Sequence, residues 1–373
     1  MSAAAGARLS DRQRLQWLRL IRTDNVGPVT FRQLIARYGS ADAAIEMLPE
    51  LARQGGVTRV VKVRSIDEAQ REIETADRLG CRFVALGEPD YPKILHNSEA
   101  PPPLLAIKGD ASVFSFPAVA IVGARNASLA GLRFARSLAS DIGAQGYSIV
   151  SGLARGIDAA AHEGSLSTGT IAVLAGGLDR PYPPENFDLL DRIVDNRGAI
   201  VSEMPFGWEP RARDFPRRNR VVAGLSLGLV VVEAALRSGS LISARMAGEL
   251  GRQVFAVPGS PLDPRAAGAN GLLKDGATLV TEAADVIDAL RSNTGLLGPL
   301  AGGFSEQPDL QPTPPPAESD RDCVIEALGP TPVQIDDLIR HTGLNPTQVH
   351  MLLLELDLAG RLERHAGGHV SLL

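Results

Sequence analysis

Two stretches of this sequence pair glycine with arginine directly after an apolar run. Gly123-Ala124-Arg125 follows Ala118 to Val122, and Ser151-Gly152-Leu153-Ala154-Arg155-Gly156-Ile157-Asp158 follows Tyr147 to Val150. Each apolar run reads as a buried strand and each following stretch as a turn into a helix. The first helix runs from about Ser128 to Gln145, and the second passes through Ala159, Ala160, Ala161 and His162. In a parallel sheet such turns share one edge, where helix N-termini present unpaired N–H groups and the positive end of the helix dipole. An anion fits there, and a phosphate best. Arg125 and Arg155 supply guanidinium groups for a bidentate clamp, alongside N–H groups around Gly152 and Gly156. The alternative for Arg125 is a salt bridge to an acid such as Asp158.

A second basic stretch lies between Pro210 and Arg220. It holds Arg211, Arg213, Arg217, Arg218 and Arg220 with Asp214 as its one acid, and Phe206, Trp208 and Phe215 stand close by. Cations that track a backbone, with flat rings for bases, are what single-strand recognition requires. The competing reading is an arginine-rich helix start with Phe215 in the core. Both are expected in part, with Arg217, Arg218 and Asn219 near the groove. Aromatic residues make up 4% of the chain, so charge should contribute more than stacking. Gly176-Gly177 and Ser238-Gly239-Ser240 fall where further strands end. They would extend a phosphate track, form a small base pocket, or serve turn geometry alone.

Catalytic and metal chemistry is harder to find. His162 follows Asp158 by four residues, a spacing for an acid–base pair but more often for a core contact. Glu203 and Glu233 follow strands without a readable nucleophile, base and orienter around them. No Gly-x-x-x-x-Gly-Lys-Ser/Thr loop is present, and the six histidines show no metal-ligand spacing. No catalytic residue, cofactor or metal is therefore expected.

These stretches need a scaffold. A chain of 373 residues with 44% apolar content can bury more than one core, and two or three domains are expected. Its formal charge of −5 confines any nucleic-acid site to a local patch. Only Lys62, Lys93, Lys108 and Lys274 are lysines, so arginine position and not abundance is informative. Cys81 and Cys323 stand apart, as reduced thiols of a cytoplasmic protein would. No signal peptide or membrane span is apparent, so a soluble protein with no membrane partner is expected.

Residues 10–60 read as short helices around Asn25-Val26-Gly27-Pro28, a hairpin in which glycine could admit a phosphate, or else a plain helical cap. A proline-rich connector, Pro89 to Asp110, leads through Leu104 to Ile107 into an edge strand. Strands are expected at Ala118 to Val122, Tyr147 to Val150, Thr170 to Leu174, Ala199 to Val201, Gly228 to Val232, Gln253 to Val257 and Thr278 to Val280. Most are continuous apolar runs, as expected of a doubly wound, mostly parallel α/β sheet covered on both faces. Gly295 to Ser319 reads as a linker, after which a helix, a helix-turn-helix and a hairpin suggest a winged-helix-like module. From Asp320 onward eight acids face four arginines, a net charge of −4, which suits a protein contact or a structural role better than DNA reading. The expected domains are a helical domain (1–85), the α/β domain (86–292), a Pro/Gly-rich linker (293–319) and the winged-helix-like domain (320–373).

An ordered series of these residues resembles the signature of the bacterial DNA-processing protein A family. It comprises Ile121-Val122-Gly123-Ala124-Arg125 with Ser128, the Ser151 to Asp158 stretch with His162, Gly177-Leu178-Asp179, and Tyr182-Pro183-Pro184-Glu185-Asn186. Ser202-Glu203 with Pro205, Phe215 to Arg220, Ser238 to Ile242 and Val257-Pro258-Gly259 complete it, over roughly residues 90 to 290. Where the family usually has a hydroxyl after the first glycine, this chain has Ala124. The resemblance implies a Rossmann-like domain flanked by a helix-hairpin-helix (SAM-like) domain and a winged helix. It also implies single-stranded DNA held along the glycine and arginine loops, protection of incoming DNA, and loading of a RecA-type recombinase in natural transformation and recombination. A homodimer through the Rossmann-like domain is implied as well. A rival reading is a nucleotide-processing, phosphoribohydrolase-like enzyme of related fold. Such enzymes depend on Pro-Gly-Gly-x-Gly-Thr-x-x-Glu, and Val232 to Ser243 lacks the closing glutamate. A duplex-reading regulator is a third reading, at odds with the acidic carboxy-terminal module.

Overall fold

The computed structural model describes residues 8–56, 61–98, 100–293 and 316–373. They form two compact units. One comprises residues 72–293 with Arg8; the other joins residues 9–71 to the described carboxy-terminal residues. Most of the expected linker, residues 294–315, lies outside the described residues.

In chain order the elements are α1 (Asp11–Ile21), α2 (Pro28–Tyr38), α3 (Ala41–Gln54), α4 (Ile66–Arg78), β1 (Arg82–Ala85), α5 (Lys93–His96), β2 (Leu104–Gly109), β3 (Ala118–Val122), α6 (Leu129–Ala144) and β4 (Ser148–Ser151). There follow α7 (Ile157–Ser165), β5 (Thr170–Val173), α8 (Phe187–Asp195), β6 (Gly198–Ser202), α9 (Asp214–Gly224), β7 (Gly228–Val231), α10 (Gly239–Glu249), β8 (Gln253–Ala256), α11 (Ala267–Lys274), β9 (Thr278–Leu279) and α12 (Ala283–Asn293). The last are α13 (Glu318–Ala327), β10 (Val333–Gln334), α14 (Ile335–Thr342), α15 (Pro346–Leu358), β11 (Leu362–His365) and β12 (His369–Leu372).

The larger unit is a mostly parallel, doubly wound sheet in the order β1-β2-β6-β5-β4-β3-β7-β8-β9. Strands β3 to β9 pair in parallel, while β1 and β2 add an antiparallel margin. β2 is not the edge: β1 pairs along it from Arg82 opposite Ile107 to Ala85 opposite Leu104 and takes that place. Strands β3 to β7 are buried along their whole length because helices cover both faces. One core holds Val119, Ile121, Ile142, Ile149, Ile157, Val230 and Phe255; the other holds Leu153, Leu174, Leu189, Ile193 and Ile200.

From β3 the chain fills one side of the sheet with β4, β5 and β6, then returns beside β3 with β7 to build the other. Adjacent loops at such a reversal part to opposite faces and leave a crevice at the carboxyl ends of the strands. Two glycines set its depth. A Cβ on Gly123 would stand 2.6 Å from Ile157 Cγ1, and Gly156, at φ 79°, would bring one within 2.2 Å of the Ala124 carbonyl. Helix α6 begins where Ser128 caps it, its hydroxyl accepting the Gly131 N–H at 2.9 Å.

In the smaller unit, Ser10 and Gln13 form a capping box that starts α1, and Gly39, left-handed at φ 77°, ends α2. The carboxy-terminal part is a winged helix, with sheet order β10-β12-β11 around Val324, Leu338, Val349, Leu352, Leu353, Leu356 and Val370.

Candidate nucleic-acid interface

The crevice between the β3, β4 and β7 loops has a volume of about 680 Å³. Arg125 is exposed on its rim and makes no ion pair among the described residues; its guanidinium lies over the half-buried Phe215 ring, 5.4 Å from the centroid. Phe215 in turn meets the exposed Tyr182 ring edge-on at 5.9 Å. Val122, Pro216, Val222 and Ile242 give the crevice apolar walls, with Asn219, Ser240 and Ser243 as polar groups among them.

Two carboxylates occupy the turns. Glu233, on the loop after β7, accepts the Ser128 N–H at 2.9 Å and the Ser128 hydroxyl at 2.5 Å, at the N-terminus of α6. Asp158 accepts the N–H groups of Gly152 and Ala154 at 3.1 and 3.4 Å. The amides expected to serve a phosphate around Gly152 thus already serve Asp158. Burial pushes Asp158 above the usual carboxylate range, and the Arg218 cation with those amides opposes the rise. Arg218 is itself buried, its Nη1 donating to the carbonyls of Gly152 and, at 2.7 Å, Val173. Burial lowers its pKa to about 10 against the pull of Asp158, so it stays cationic at neutral pH. Asp158 therefore does not bind Arg125, which stays open.

Gly123, Arg125, Gly152, Ala154, Arg218, Asn219, Ser238, Gly239 and Ser240 all line the crevice. Arg155 lines a small adjoining cavity with Tyr182 and Arg125, and reaches Glu185 at 3.5 Å with both side chains more than half exposed. The others do not open onto the crevice. Ser128 is the cap of α6, and Ser151 is buried, donating to the Ile121 carbonyl at 2.6 Å. Leu153 is buried in a left-handed conformation at φ 57°, its carbonyl held by Asn186 at 2.9 Å. Gly156 packs on the Ala124 carbonyl, and Gly176 and Gly177 lie under the segment from Pro205 to Trp208, whose carbonyl accepts the Gly177 N–H at 2.9 Å. Arg217 and Arg220 converge on Glu203, the first at 3.3 Å. The arginine-rich stretch is thus one buried cation, one pair held by an acid, and the exposed Arg211 and Arg213, with Arg211 4.7 Å above the Trp208 ring.

Sequence reasoning missed Arg237, exposed on the crevice directly before Ser238-Gly239-Ser240, and with no ion pair among the described residues. Its position before a glycine-bearing helix start is the same signal that picked out Arg125. His162 forms no pair with Asp158. Its Nδ1 lies 2.7 Å from the Thr170 hydroxyl, which donates onward to the Ile149 carbonyl, so Nδ1–H is the donor to that hydroxyl. Burial pushes its pKa down to about 3. Among the described residues no group of three His, Cys, Asp or Glu side chains could hold a metal, and no helix is long and apolar enough to cross a membrane.

Sheet order, crevice and flanking modules define a class: a Rossmann-like α/β protein with guanidinium groups at the switch point, joined to an N-terminal helical module and a winged helix. DNA recombination-mediator protein A matches residues 82–291, a DprA-like N-terminal HHH domain matches residues 11–75, and a DprA winged helix domain matches residues 308–368. The chain is 34% identical over 371 residues to Protein Smf of Escherichia coli K12, covering 95% of each. It is 44% identical over 199 residues to DNA processing protein DprA of Streptococcus pneumoniae, covering 53% of this chain and 70% of that one. The solved DNA processing protein A of S. pneumoniae aligns at a TM-score of 0.60 and 33% identity, over 76% of this chain and 98% of that one. That of Helicobacter pylori, described for its single-stranded DNA binding mode, aligns at 0.52 and 30% identity, over 57% and 97%. The chain belongs to the DNA recombination-mediator protein A family.

Proposed function

We propose that the crevice binds single-stranded DNA, and that the chain protects incoming DNA and passes it to a RecA-type recombinase. The reading rests on one observation above the rest: an exposed guanidinium with no acidic partner among the described residues, Arg125, stands at the sheet's switch point beside an aromatic ring and a 680 Å³ crevice. Guanidinium plus ring suits a phosphate followed by a base, and neither is specific for sequence. The H. pylori relative's single-stranded DNA binding supports the choice of ligand. The recombinase partner and action as a cytoplasmic homodimer follow from the family resemblance and the chain's composition, as does the division into a helical domain, an α/β domain, a linker and a winged helix, with the first boundary drawn ahead of β1 because Arg82 to Ala85 pair into the sheet.

Fluorescence anisotropy with single- and double-stranded probes of one length tests the reading. The single strand should bind more tightly, with little sequence preference, and log K should fall with log salt by about 0.7 per phosphate neutralised. Equal affinity for both probes would remove the single-strand assignment.

A further inference from the structure

Helix α15 carries two stripes of buried side chains. Val349, Leu352, Leu353 and Leu356 enter the winged-helix core. Met351, Leu354, Glu355 and Leu358 repeat the same spacing on a second face; they are buried too, yet stand outside that core. From Met351 to Leu358 both stripes are buried, and a helix segment so covered has a second neighbour. Here it is the N-terminal helical module, because α15 packs on α2 and α3 within the smaller unit.

The contact is specific. The Asn25 amide donates to the Leu358 carbonyl at 3.0 Å, and the Thr30 hydroxyl to Asp357 at 2.6 Å. Arg361 donates to the Gly55 carbonyl at 3.2 Å, while Arg364 bridges Asp357 at 2.9 Å and Gln33 at 3.2 Å. The backbones meet so closely that a Cβ on Gly55 would stand 2.1 Å from the Glu355 carbonyl oxygen. In winged helices that read duplex DNA, the third helix enters the major groove with side chains that donate to bases and phosphates. The third helix here exposes Pro346, Thr347 and His350 on its first turns and has no lysine or arginine; its second buried stripe is Met351, Leu354 and Leu358, while the Glu355 carboxylate is tied to Arg321 of α13 at 2.7 Å, all in a module of net charge −4 from residue 320 onward. That is the chemistry of a protein contact.

We propose that the winged helix is a protein-docking module whose ligand is this chain's own N-terminal helical module, held through the outer stripe of α15, and that it does not read duplex DNA. The test uses the whole chain with a protease site placed within residues 294–315 and cut after folding. The cut carboxy-terminal piece should co-elute with the remainder on gel filtration at submicromolar concentration. Gly55→Leu should release it. Gly55 has an ordinary right-handed conformation at φ −70°, so the new side chain strains the contact and not its own backbone. Leu354→Lys, outside the winged-helix core, should release it independently, with circular dichroism reporting retained fold. Neither released protein should gain affinity for a duplex probe. Separation of the wild-type pieces after cutting, co-elution unaffected by both substitutions, or duplex binding gained on release would each overturn the proposal.

Discussion

Replacing Arg125 by alanine isolates the crevice's contribution to DNA affinity at one side chain. The guanidinium is exposed, makes no ion pair among the described residues, and lies over the Phe215 ring at 5.4 Å. An exposed cation–π contact contributes about 0.5–1 kcal/mol, so the fold should lose no more than that. A hydrogen bond from a charged donor to a phosphate is worth roughly 1.5–3 kcal/mol. At about 1.4 kcal/mol per factor of ten, affinity for a single strand should fall roughly 10- to 150-fold. Losing one phosphate contact should also flatten the salt slope by about 0.7. Arg125→Lys should restore the slope while recovering only part of the affinity, since an ammonium keeps the charge but not the planar fork.

Arg217→Ala is the internal comparison. Its guanidinium lies 3.3 Å from Glu203, which also binds Arg220, so much of its charge is already neutralised within the protein. Anisotropy titrations of labelled oligothymidine across a salt series would measure all three variants. A folded Arg125→Ala protein with unchanged affinity and slope would refute the assignment, as would a greater loss from Arg217→Ala.

Two further outcomes follow from buried charges. Arg218→Met strips the buried Gly152 and Val173 carbonyls of a charged donor, and leaving a buried polar group without its partner costs about 1–3 kcal/mol, to be read from the denaturant midpoint at neutral pH. A midpoint within error of wild type would contradict these buried hydrogen bonds. His162 has its pKa lowered from 6.5 to about 3 in the folded chain, so its stabilising contribution is full above pH 6.5 and is lost as pH falls toward 3. At about 1.4 kcal/mol per pH unit the loss is on the order of 4 kcal/mol, and His162→Leu should show a shallower decline in stability between pH 6.5 and 3. Parallel declines in urea midpoint would refute this.

The parts of the molecule that were legible in the sequence are those whose signal is local. Continuous apolar runs marked β3 to β7 because both faces of those strands are covered, and Ser128 and Gly39 marked helix ends through their own capping chemistry. β1 was missed because Arg82 to Ala85 is four residues long and gains its identity from pairing with β2. In the arginine-rich stretch, Asp214, Arg218, Val221 and Val222 recur at helical spacing and all turn inward. That pattern was present in the sequence, but a charged residue within it argued against burial until Asp158 and the strand-end carbonyls supplied partners. Glu233 gave no local sign at all: it caps a helix whose Ser128 lies 105 residues earlier.

That distant glutamate changes how the crevice must hold an anion. Helix N-termini attract phosphate through open amides and a positive dipole end. At α6 the place is taken by Glu233, and before α7 the Gly152 and Ala154 amides are taken by Asp158. A phosphate at either point would meet a carboxylate. Arg218 offsets Asp158 from beneath, which leaves Arg125 and Arg237 as the exposed cations on the crevice without an ion pair among the described residues. Binding through exposed guanidinium groups on long side chains, and not through a rigid amide cradle, tolerates the varied backbone of a flexible single strand. It is also screened by salt more strongly than buried amides would be. A backbone-amide cradle would leave affinity nearly intact in an Arg125→Ala, Arg237→Ala double variant, whereas the observed arrangement requires most of it to disappear.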